Sequence, residues 1–595
     1  MTYRSPTSAT CRGRPAGICR PPSRRRTGVW TQCILPYYRC VFRRGIRAKV
    51  RSSNMKYFVI SSDIMSANKT SISAYIASLL DYNDIKIHYL KLNPALSVQL
   101  GLLSPEAVGE AFVTHDSGQL DKDVGIIERS ISYPLSKQSC LTLGQAIDNI
   151  NISETSSKDC CYEFLSMDEH LVDYVSKYIA SFPDANQDIM VIEIGGAITD
   201  LGAQVFCKSV KKLQNSHHIY IGNNKQVFTQ TFGKKNPDLF IDAAKQLENL
   251  KKRKIPDELL SQINLVITKD LNTKMAGINL EETYLHQPFN EKFANQIVVA
   301  LVGRYIQNKQ AYLSILDALK TAAQMSRVSV KMVFVQSMYL SEKNVSDNMK
   351  DVNAIIIPGG FGQCGLEGKM AAIKFARENL IPLFGICLGF QLTAIEFSRH
   401  VCGLTEANTS EIDPKCSQPV IHKLHEIITA IKMKNQLDGK KQISMVKSVS
   451  AEPQLTPALS QTDEVVRLHN TQLPQQFQEL SPNKYFGMNL GDCVVHPVAD
   501  TIAAECFSIN EMERHWHSYA MNMEYWPILE QHGLVASIWD KSKSVVVGIE
   551  LKDHPFFVAT QFHPEFKSTY GKPRKIFEKF VQAALQQSLK KQEQK

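Results

Sequence analysis

Residues 381–389, IPLFGICLG, decide the fold of the C-terminal half of the chain. The apolar residues at the start predict a β-strand and the pattern after Gly389 predicts an α-helix, so a sharp turn must join them at Cys387. Gly385 and Gly389 leave room for a strained backbone that pushes the cysteine side chain out at the strand end. A sulfur at a helix N-terminus is also favoured as a thiolate. A single cysteine is nevertheless more often a packing residue than a nucleophile, so its surroundings must decide.

The composition is that of a globular protein with more than one core. The chain has 595 residues, of which 44% are hydrophobic and 21% charged, and this length is enough for two or more domains. No uninterrupted apolar run reaches the roughly 18 residues that a membrane-spanning helix requires, so we expect no membrane segment. The fourteen cysteines contain no CxxC pair. This argues against a zinc module or a disulfide scaffold and favours reduced thiols in an intracellular enzyme.

The net charge of +10 is unevenly distributed along the chain. Residues 1–54 contain thirteen Lys or Arg and no Asp or Glu, so the rest of the chain is slightly acidic. Such a tail is typical of a mitochondrial presequence, but a mispredicted start upstream of Met55 or a disordered arm fits at least as well. We expect no nucleic-acid partner. The basic run 251–254 is interpreted as a solvated helix end, with a nuclear-import or nucleic-acid patch as the alternative.

The first regular pattern after the tail has the layout of a phosphate-binding loop. An apolar strand at residues 57–60 is followed by a polar loop containing Lys69 and by a helical pattern from Ile72. Backbone N–H groups at a helix N-terminus and one lysine can hold a polyphosphate. The glycines that allow a close approach to phosphate are missing here, so the pattern alone favours an ordinary strand–helix loop.

Further along the sequence lie acidic residues that could hold a metal ion bound to a triphosphate. Asp116, Asp121 and Asp123 punctuate one stretch, and Glu193 lies inside the apolar run 190–196. Carboxylates at strand ends of an α/β sheet are suitable ligands for Mg²⁺. A solvated acidic loop explains Asp116 and Asp123 equally well, whereas a carboxylate inside an apolar strand is harder to explain in that way.

Two further motifs complete a mechanism around Cys387. His563 and Glu565, two residues apart beyond a predicted strand, can supply an imidazole that moves a proton and a carboxylate that fixes its tautomer. The turn at residues 358–362, PGGFG, can offer backbone N–H groups to an oxyanion. The two histidines of RHWH, residues 514–517, are rival bases. No carboxylate follows directly after them, so they are interpreted as pocket-wall or packing residues.

The motifs PGGFG, GICLG and FHPEF, in that order, resemble the class I glutamine amidotransferases. From Met55 to the end, the chain more narrowly resembles the CTP synthase family. The densest matches lie in the C-terminal half, at residues 300–305 (ALVGRY), 381–396, 408–414 (NTSEIDP), 513–519 and 561–567 (QFHPEFK). Matches in the N-terminal half, at residues 109–113, 121–125 and 193–196, are sparser.

The resemblance implies a role for each candidate site residue. Cys387 would be the nucleophile that forms a glutamyl thioester, His563 its base, and Glu565 the carboxylate that orients the imidazole. Glutamine would lie against Gly360, Leu388, Gly389, Phe390, Gln391, Glu411 and Ser518. The nucleotide-binding residues would be Lys69, Lys91 and Asp200, and the magnesium ligands would be Asp121 and Glu193.

The resemblance also implies an amidoligase half and a glutaminase half joined by an internal ammonia tunnel. With Mg²⁺ as cofactor, ATP would phosphorylate the 4-oxygen of UTP, and ammonia would displace the phosphate to give CTP. GTP would be an activator. The protein would be a cytoplasmic homo-oligomer, a tetramer in the family, with filaments as a further form, and mitochondrial if residues 1–54 are a true presequence.

We therefore predict an α/β fold with two doubly wound Rossmann-like domains, a P-loop-type amidoligase and a flavodoxin-like glutaminase. The predicted segments are a basic tail at 1–54, an amidoligase at 55–285, a linker at 286–296, and a glutaminase at 297–590 with an insertion at about 425–485.

Departures from the family pattern concentrate in the nucleotide sites. The glycine-rich loop is replaced by SSDIMSAN at residues 61–68, and the pyrimidine-binding segment is replaced by NNKQVFTQ at residues 223–230. Asn93 stands where an aspartate is expected. On the activator side, Cys364 and Asn489 replace arginines, although Arg304 keeps a positive charge.

Three hypotheses remain open on these observations. The first is a divergent but working CTP synthase. The second is a pseudo-synthase, in which an active glutaminase is joined to degenerate nucleotide sites and the chain regulates or co-assembles with an active synthase. The third is a free-standing amidase with another acceptor. Loss of several phosphate-binding groups would lower nucleotide affinity by orders of magnitude unless other groups compensate.

Overall fold

The N-terminal half is built on one parallel sheet. The computed structural model describes residues 55–65, 67–155, 167–182, 189–251, 255–271, 293–431 and 488–593, and all of these fall within one compact unit. The predicted tail at 1–54 lies outside the described residues.

Strands of the N-terminal half are β1 Lys56–Ser62, β2 His88–Asn93, β3 Ala111–Val113, β4 Gln119–Asp121, β5 Cys140–Thr142, β6 Ile189–Ile194, β7 Ser216–Gly222 and β8 Leu239–Asp242. Its helices are α1 Lys69–Tyr82, α2 Pro105–Val108, α3 Lys122–Arg129, α4 Leu143–Thr155, α5 Met167–Ala180, α6 Leu201–Val210, α7 Lys225–Phe232, α8 Ala243–Lys251 and α9 Asp257–Leu271.

Six of these strands form a parallel sheet in the order β5-β2-β6-β1-β7-β8. Strand β6 is buried along its whole length, as expected for a central parallel strand that is covered on both faces. Glu193 near its end lies opposite Ile60 of β1 and Lys91 of β2. The carboxyl ends of three neighbouring strands therefore bring the N-terminal site residues to one edge of the sheet.

The C-terminal half is built on a larger mixed sheet. Its strands are β9 Asn295–Gly303, β10 Val328–Gln336, β11 Ala354–Ile357, β12 Leu383–Ile386, β13 Ala407–Thr409, β14 Gln418–Lys423, β15 Asn489–Pro497, β16 Glu511–His517, β17 Tyr519–Met521, β18 Leu534–Asp540, β19 Val546–Leu551 and β20 Phe557–Thr560. Its helices are α10 Leu313–Met325, α11 Val345–Met349, α12 Leu366–Glu378, α13 Leu388–His400, α14 Ile502–Cys506, α15 Trp526–Gln531 and α16 Lys575–Glu593. Nine strands pair in the order β10-β9-β11-β12-β20-β19-β18-β15-β16.

The first five strands of that order are parallel, and in chain order they read 2-1-3-4-5, which is the flavodoxin-like arrangement. Strand β12 is the fourth of these, and Phe384 packs edge-on against Phe556 and against Phe577 of α16. Ile386 lies opposite Thr560. The residues that follow β12 and β20 must therefore emerge side by side, which confirms the predicted two-domain α/β fold.

Several boundaries differ from the prediction or lie outside the described residues. Strand β9 begins at Asn295, inside the predicted linker, and most of that linker is not described. Residues 424–431 are helical, and the rest of the predicted insertion, 432–487, is not described. The segment 223–230 contributes to helix α7, whose N-cap side chain, Asn224, accepts a hydrogen bond from the N–H of Gln226. Among the described residues, no helix is both long and apolar enough to cross a membrane.

Candidate functional site

Cys387 occupies the strained turn that the sequence predicts. Its backbone has φ 55° and ψ −101°, and helix α13 begins at the next residue. The Cys387 N–H donates to the carbonyl of Thr560 at 2.7 Å. A Cβ at Gly389 would lie 2.2 Å from the carbonyl oxygen of Ile357, so only glycine allows this close approach of helix and strand. Strain of this kind, roughly 1–3 kcal/mol, persists where the surrounding structure fixes it, and it is concentrated at active sites.

His563 faces this cysteine across the glycine turn. A Cβ at Gly359 would lie 3.4 Å from the Cys387 Cβ and 3.0 Å from the His563 Cε1. On the other side of the ring, His563 Nδ1 lies 2.7 Å from Glu565 Oε1, which fixes Nδ1 as the donor. The Nε2 atom is buried without a hydrogen-bond partner in the described chain. Phe566 stacks on the ring with centroids 4.9 Å apart. Cys387 and His563 therefore flank one glycine turn, and Glu565 is hydrogen-bonded to the far side of the imidazole ring.

The electrostatics of the imidazole fit this arrangement. Burial disfavours the protonated ring, but Glu565 and Cys387 outweigh burial and raise the pKa of His563 to about 10. The imidazole is therefore protonated at neutral pH and can act as a proton donor beside Cys387.

The other two histidines of this region form a separate buried pair. His517 Nδ1 lies 2.9 Å from the Tyr519 carbonyl oxygen, which can only accept, and His517 Nε2 lies 2.9 Å from His515 Nδ1. Burial lowers the pKa of His517 to about 4, and it also lowers the pKa of His515. Both rings are therefore neutral. Asn489, which stands where an arginine is expected, lies beside His515 at 3.2 Å.

A cavity of about 270 Å³ opens beside Cys387. Five of the seven predicted glutamine-binding residues line it: Gly360, Leu388, Gln391, Glu411 and Ser518. Gly389 and Phe390 do not, and Phe390 is fully buried in the core. The Gln391 Oε1 is buried without a partner among the described residues. The N-terminal half also contributes lining residues that were not predicted, namely Gln99, Gly101, Leu102 and Gln119.

A smaller cavity, of about 70 Å³, leads from Cys387 and His563 toward the N-terminal half, where Glu110 and Ala111 line it. Both Glu110 oxygens lie 3.0 Å from the N–H of Ser314. Burial raises the pKa of Glu110 to about 7, against the opposing effects of Arg129 and Ser314. Residues of both halves therefore line one cavity beside Cys387.

The predicted nucleotide-site residues meet at a third cavity, of about 440 Å³. Lys69, Lys91, Asp121 and Glu193 all line it. Asp200 does not, and its Oδ2 instead accepts from the Ala197 N–H at 2.9 Å.

Lys122 also lines this cavity, so it holds three lysines, and protein groups already engage Lys91 and Lys69. Lys91 Nζ donates to Asp123 Oδ2 at 2.6 Å and also to Glu193. Although burial opposes the charge, these carboxylates raise the pKa of Lys91, and Lys91 lowers the pKa of Asp123. Lys69 donates to the Gly196 carbonyl at 2.8 Å. From the sequence, a position in a solvated loop was an equally good explanation of Asp123. In the structure, Asp123 lines this cavity and pairs with Lys91.

Burial and the nearby ammonium of Lys91 lower the pKa of Lys69 to about 8. A polyphosphate bound in the cavity would favour the charged form of this lysine. An anionic ligand in this cavity would therefore stabilise the charged form of Lys69.

The donor set fits magnesium only together with a triphosphate. Among the described residues, no group of three or more Asp, Glu, His or Cys forms a metal site. Glu193 accepts hydrogen bonds at both oxygens, from Thr70 at 3.0 Å and from Ser73 at 2.8 Å. Asp121 accepts at Oδ2 from Asn93 at 2.7 Å. Since Mg²⁺ usually takes one or two carboxylates and completes its shell with phosphate oxygens and water, Asp121 and Glu193 suffice.

Helix α3 joins this site to the other half. Its N-cap is Asp121, which accepts from the Asp123 N–H at 2.9 Å. At its C-terminal end, Glu128 accepts from Arg514 Nη2 at 3.1 Å. The carbonyl of Arg514 in turn accepts from the His563 N–H at 2.8 Å. One short helix thus touches the cavity lined by Lys69 and Lys91 at one end and a strand hydrogen-bonded to His563 at the other.

Two family models match the chain in succession. "CTP synthase N-terminus" matches residues 56–275, and "Glutamine amidotransferase class-I" matches residues 309–583. A CTP synthase from Nitratidesulfovibrio vulgaris (strain DP4) is 27% identical over 581 residues, which covers 89% of this chain and 98% of that relative. The solved glutaminase domain of Trypanosoma brucei CTP synthase with bound acivicin is 28% identical and covers 49% of this chain and 94% of that one, with a TM-score of 0.37. With both halves matched in the family's order along one chain, the protein belongs to the CTP synthase family.

Proposed function

We propose that this chain is a glutamine-hydrolysing CTP synthase. The observation that carries the proposal is the joining of Cys387, His563 and Glu565 at one cavity that extends to Glu110 of the other half. Ammonia released at the cysteine would enter a space already shared with the amidoligase half. The predicted magnesium and nucleotide roles, the homo-oligomeric state and the cytoplasmic location belong to the same proposal.

The first half-reaction follows from the geometry of the triad. The Cys387 thiolate attacks the side-chain amide carbon of glutamine, and the C–S bond forms as the carbonyl oxygen becomes an oxyanion. Backbone N–H groups at the 359–360 turn and at Leu388 can stabilise that oxyanion. His563 then gives its Nε2 proton to the leaving nitrogen, the C–N bond breaks, and ammonia departs. Water, deprotonated by His563, hydrolyses the thioester to glutamate and restores the thiolate.

In the second half-reaction, Lys69 and Lys91 would bind the phosphates of ATP. Magnesium held by Asp121 and Glu193 would neutralise phosphate charge when bound. The 4-oxygen of UTP takes the γ-phosphoryl group, and ammonia displaces that phosphate to give CTP. The pKa of about 8 at Lys69 supports this assignment, because a triphosphate would bring the charge that keeps this buried lysine protonated.

The amidoligase is tested without glutamine. Purified protein with UTP, ATP, Mg²⁺ and ammonium chloride should form CTP, and Lys69→Met should lower that rate by roughly ten- to a hundredfold through loss of one charged hydrogen-bond donor. Lys208→Met, which removes an exposed lysine paired with Asp168, is the matched control. Absence of CTP with the wild-type protein would contradict the proposal. Adding GTP, and measuring the molecular mass in solution, tests activation and assembly with the same preparation.

A second candidate is the pseudo-synthase, with an active glutaminase and no ligase activity. The observation that favours it is the pairing of Lys91 with Asp123 and Glu193, because a nucleotide must compete for this ammonium with two carboxylates, of which Glu193 is buried. Glutamine hydrolysis without CTP formation from ammonium chloride would support it.

Replacing Glu565 by glutamine should lower the rate of glutamine hydrolysis about a hundredfold. The change removes the anion that holds the pKa of His563 at about 10, so the imidazole loses its proton at a lower pH. In the pH profile of kcat/KM, the fall in rate at alkaline pH should accordingly begin at a lower pH than in the wild type. An unchanged rate and profile would contradict the role given to Glu565.

A further inference from the structure

Lys369 is a buried lysine beside the glycine turn of the glutaminase half. It lies in the first turns of α12 and is 3% exposed. Its Nζ is 3.9 Å from the position that a Cβ would take on Gly360. That turn also stands against Cys387 and His563 through Gly359, so the ammonium lies just behind the backbone that would receive the oxyanion.

The charge of Lys369 has no carboxylate partner in the part of the chain that the structure describes. Burial lowers the pKa of Lys369 to about 8; Cys387 acts to keep the ammonium charged and Arg304 opposes it. Lys374, five residues later on the same helix, shows the ordinary arrangement, with Nζ 2.9 Å from Glu342. An unpaired buried ammonium is destabilising unless another negative charge compensates.

We propose that Lys369 is a positioning residue of the glutaminase, whose ammonium stabilises the Cys387 thiolate and the negative charge that develops at the 359–360 turn. This inference rests on the proposed glutamine hydrolysis. The compensating charge is then the thiolate in the resting enzyme and the oxyanion during each of the two acyl-transfer steps. Because Lys369, Cys387 and His563 are all buried, a charge acts there over a longer distance than at a surface.

The test is the pH dependence of Cys387 alkylation by iodoacetamide, followed by mass spectrometry of the peptide that contains this cysteine. In Lys369→Met the midpoint of the alkylation profile should move up by about one pH unit, as expected for the loss of a neighbouring charge. The kcat for glutamine hydrolysis should fall about tenfold with little change in KM, because Lys369 does not line the glutamine cavity. Lys369→Arg should restore most of both values, and Lys374→Met should change neither.

The possible outcomes distinguish a failure of the proposed glutamine hydrolysis from a failure of the role given to Lys369. If wild-type Cys387 reacts no faster near neutral pH than the other cysteines, the glutaminase chemistry fails and the role of Lys369 fails with it. If Cys387 is reactive and the Lys369→Met midpoint equals that of the wild type, only the role of Lys369 is overturned. Should the methionine variant not fold, Lys369→Gln compared with Lys369→Arg gives the same readout, and equal midpoints in those two variants overturn the inference.

Discussion

Replacing Cys387 by alanine should lower the rate of glutamine hydrolysis by roughly 10⁴-fold or more, which is the size of effect seen when a nucleophile is removed from a catalytic triad. Among the described residues that line the two cavities at this turn, Cys387 is the only cysteine, so no other thiol there can form the thioester. CTP formation from ammonium chloride should continue, because the nucleotide cavity lies on the other half of the chain.

The measurement is glutamate release alongside CTP formation with each nitrogen source. Cys364→Ala is the matched control, because Cys364 is exposed shortly after the 358–362 turn and does not line the cavity. A Cys387→Ala protein that still hydrolyses glutamine would overturn the triad. One that loses the ammonia-dependent reaction as well would show that the cysteine supports the fold of both halves.

The triad could be predicted from sequence because each of its parts is local. The strand, turn and helix around Cys387 are encoded within nine residues, and His563 and Glu565 are two residues apart. Their meeting requires only that β12 and β20 be neighbours, which the flavodoxin-like strand order provides. The glutamine-binding segment was predicted less well for an equally physical reason. Successive residues of a helix point about 100° apart, so Leu388 and Gln391 face the cavity while Phe390 faces the core.

The remaining site residues depend on contacts between distant parts of the chain, and such contacts leave no periodic signal. Asp123 belongs to the nucleotide site because of Lys91, which lies on another strand. The glutamine cavity is closed by Gln99 and Gln119 of the opposite half. Lys369 has the sequence environment of an ordinary surface lysine on an amphipathic helix, and only its burial distinguishes it.

The second large effect that we expect is a loss of stability when Arg514 is replaced. It is 1% exposed, its Nε donates to Asp492 at 2.6 Å, and its Nη2 donates to Glu128 of the other half at 3.1 Å. It also donates to the Val113 carbonyl. A buried ion pair of this kind adds little net stability when compared with a hydrophobic replacement of both partners, but the removal of one partner leaves an uncompensated charge.

Arg514→Met should therefore destabilise the protein by about 3–5 kcal/mol, seen as a lower urea denaturation midpoint. Adding Glu128→Gln to this variant should recover part of the loss, because the stranded carboxylate is then neutral. Lys177→Met, which breaks an exposed pair with Asp173, should change stability by no more than about 0.5 kcal/mol.

The pH dependence gives the sharper test. Burial raises the pKa of Glu128 even with Arg514 present, and without the guanidinium the pKa should rise further. A carboxyl whose folded-state pKa is raised favours the folded state at low pH, and this contribution is lost as the pH rises through the folded pKa. The destabilisation caused by Arg514→Met should therefore be smaller at pH 5 than at pH 8, and Glu128→Gln should reduce that dependence. Asp492, whose pKa Arg514 lowers, accounts for the dependence that remains. If the difference in unfolding free energy between Arg514→Met and wild type does not change with pH, the lost stability comes from packing and from the Val113 contact. The link between helix α3 and His563 would then be mechanical rather than electrostatic.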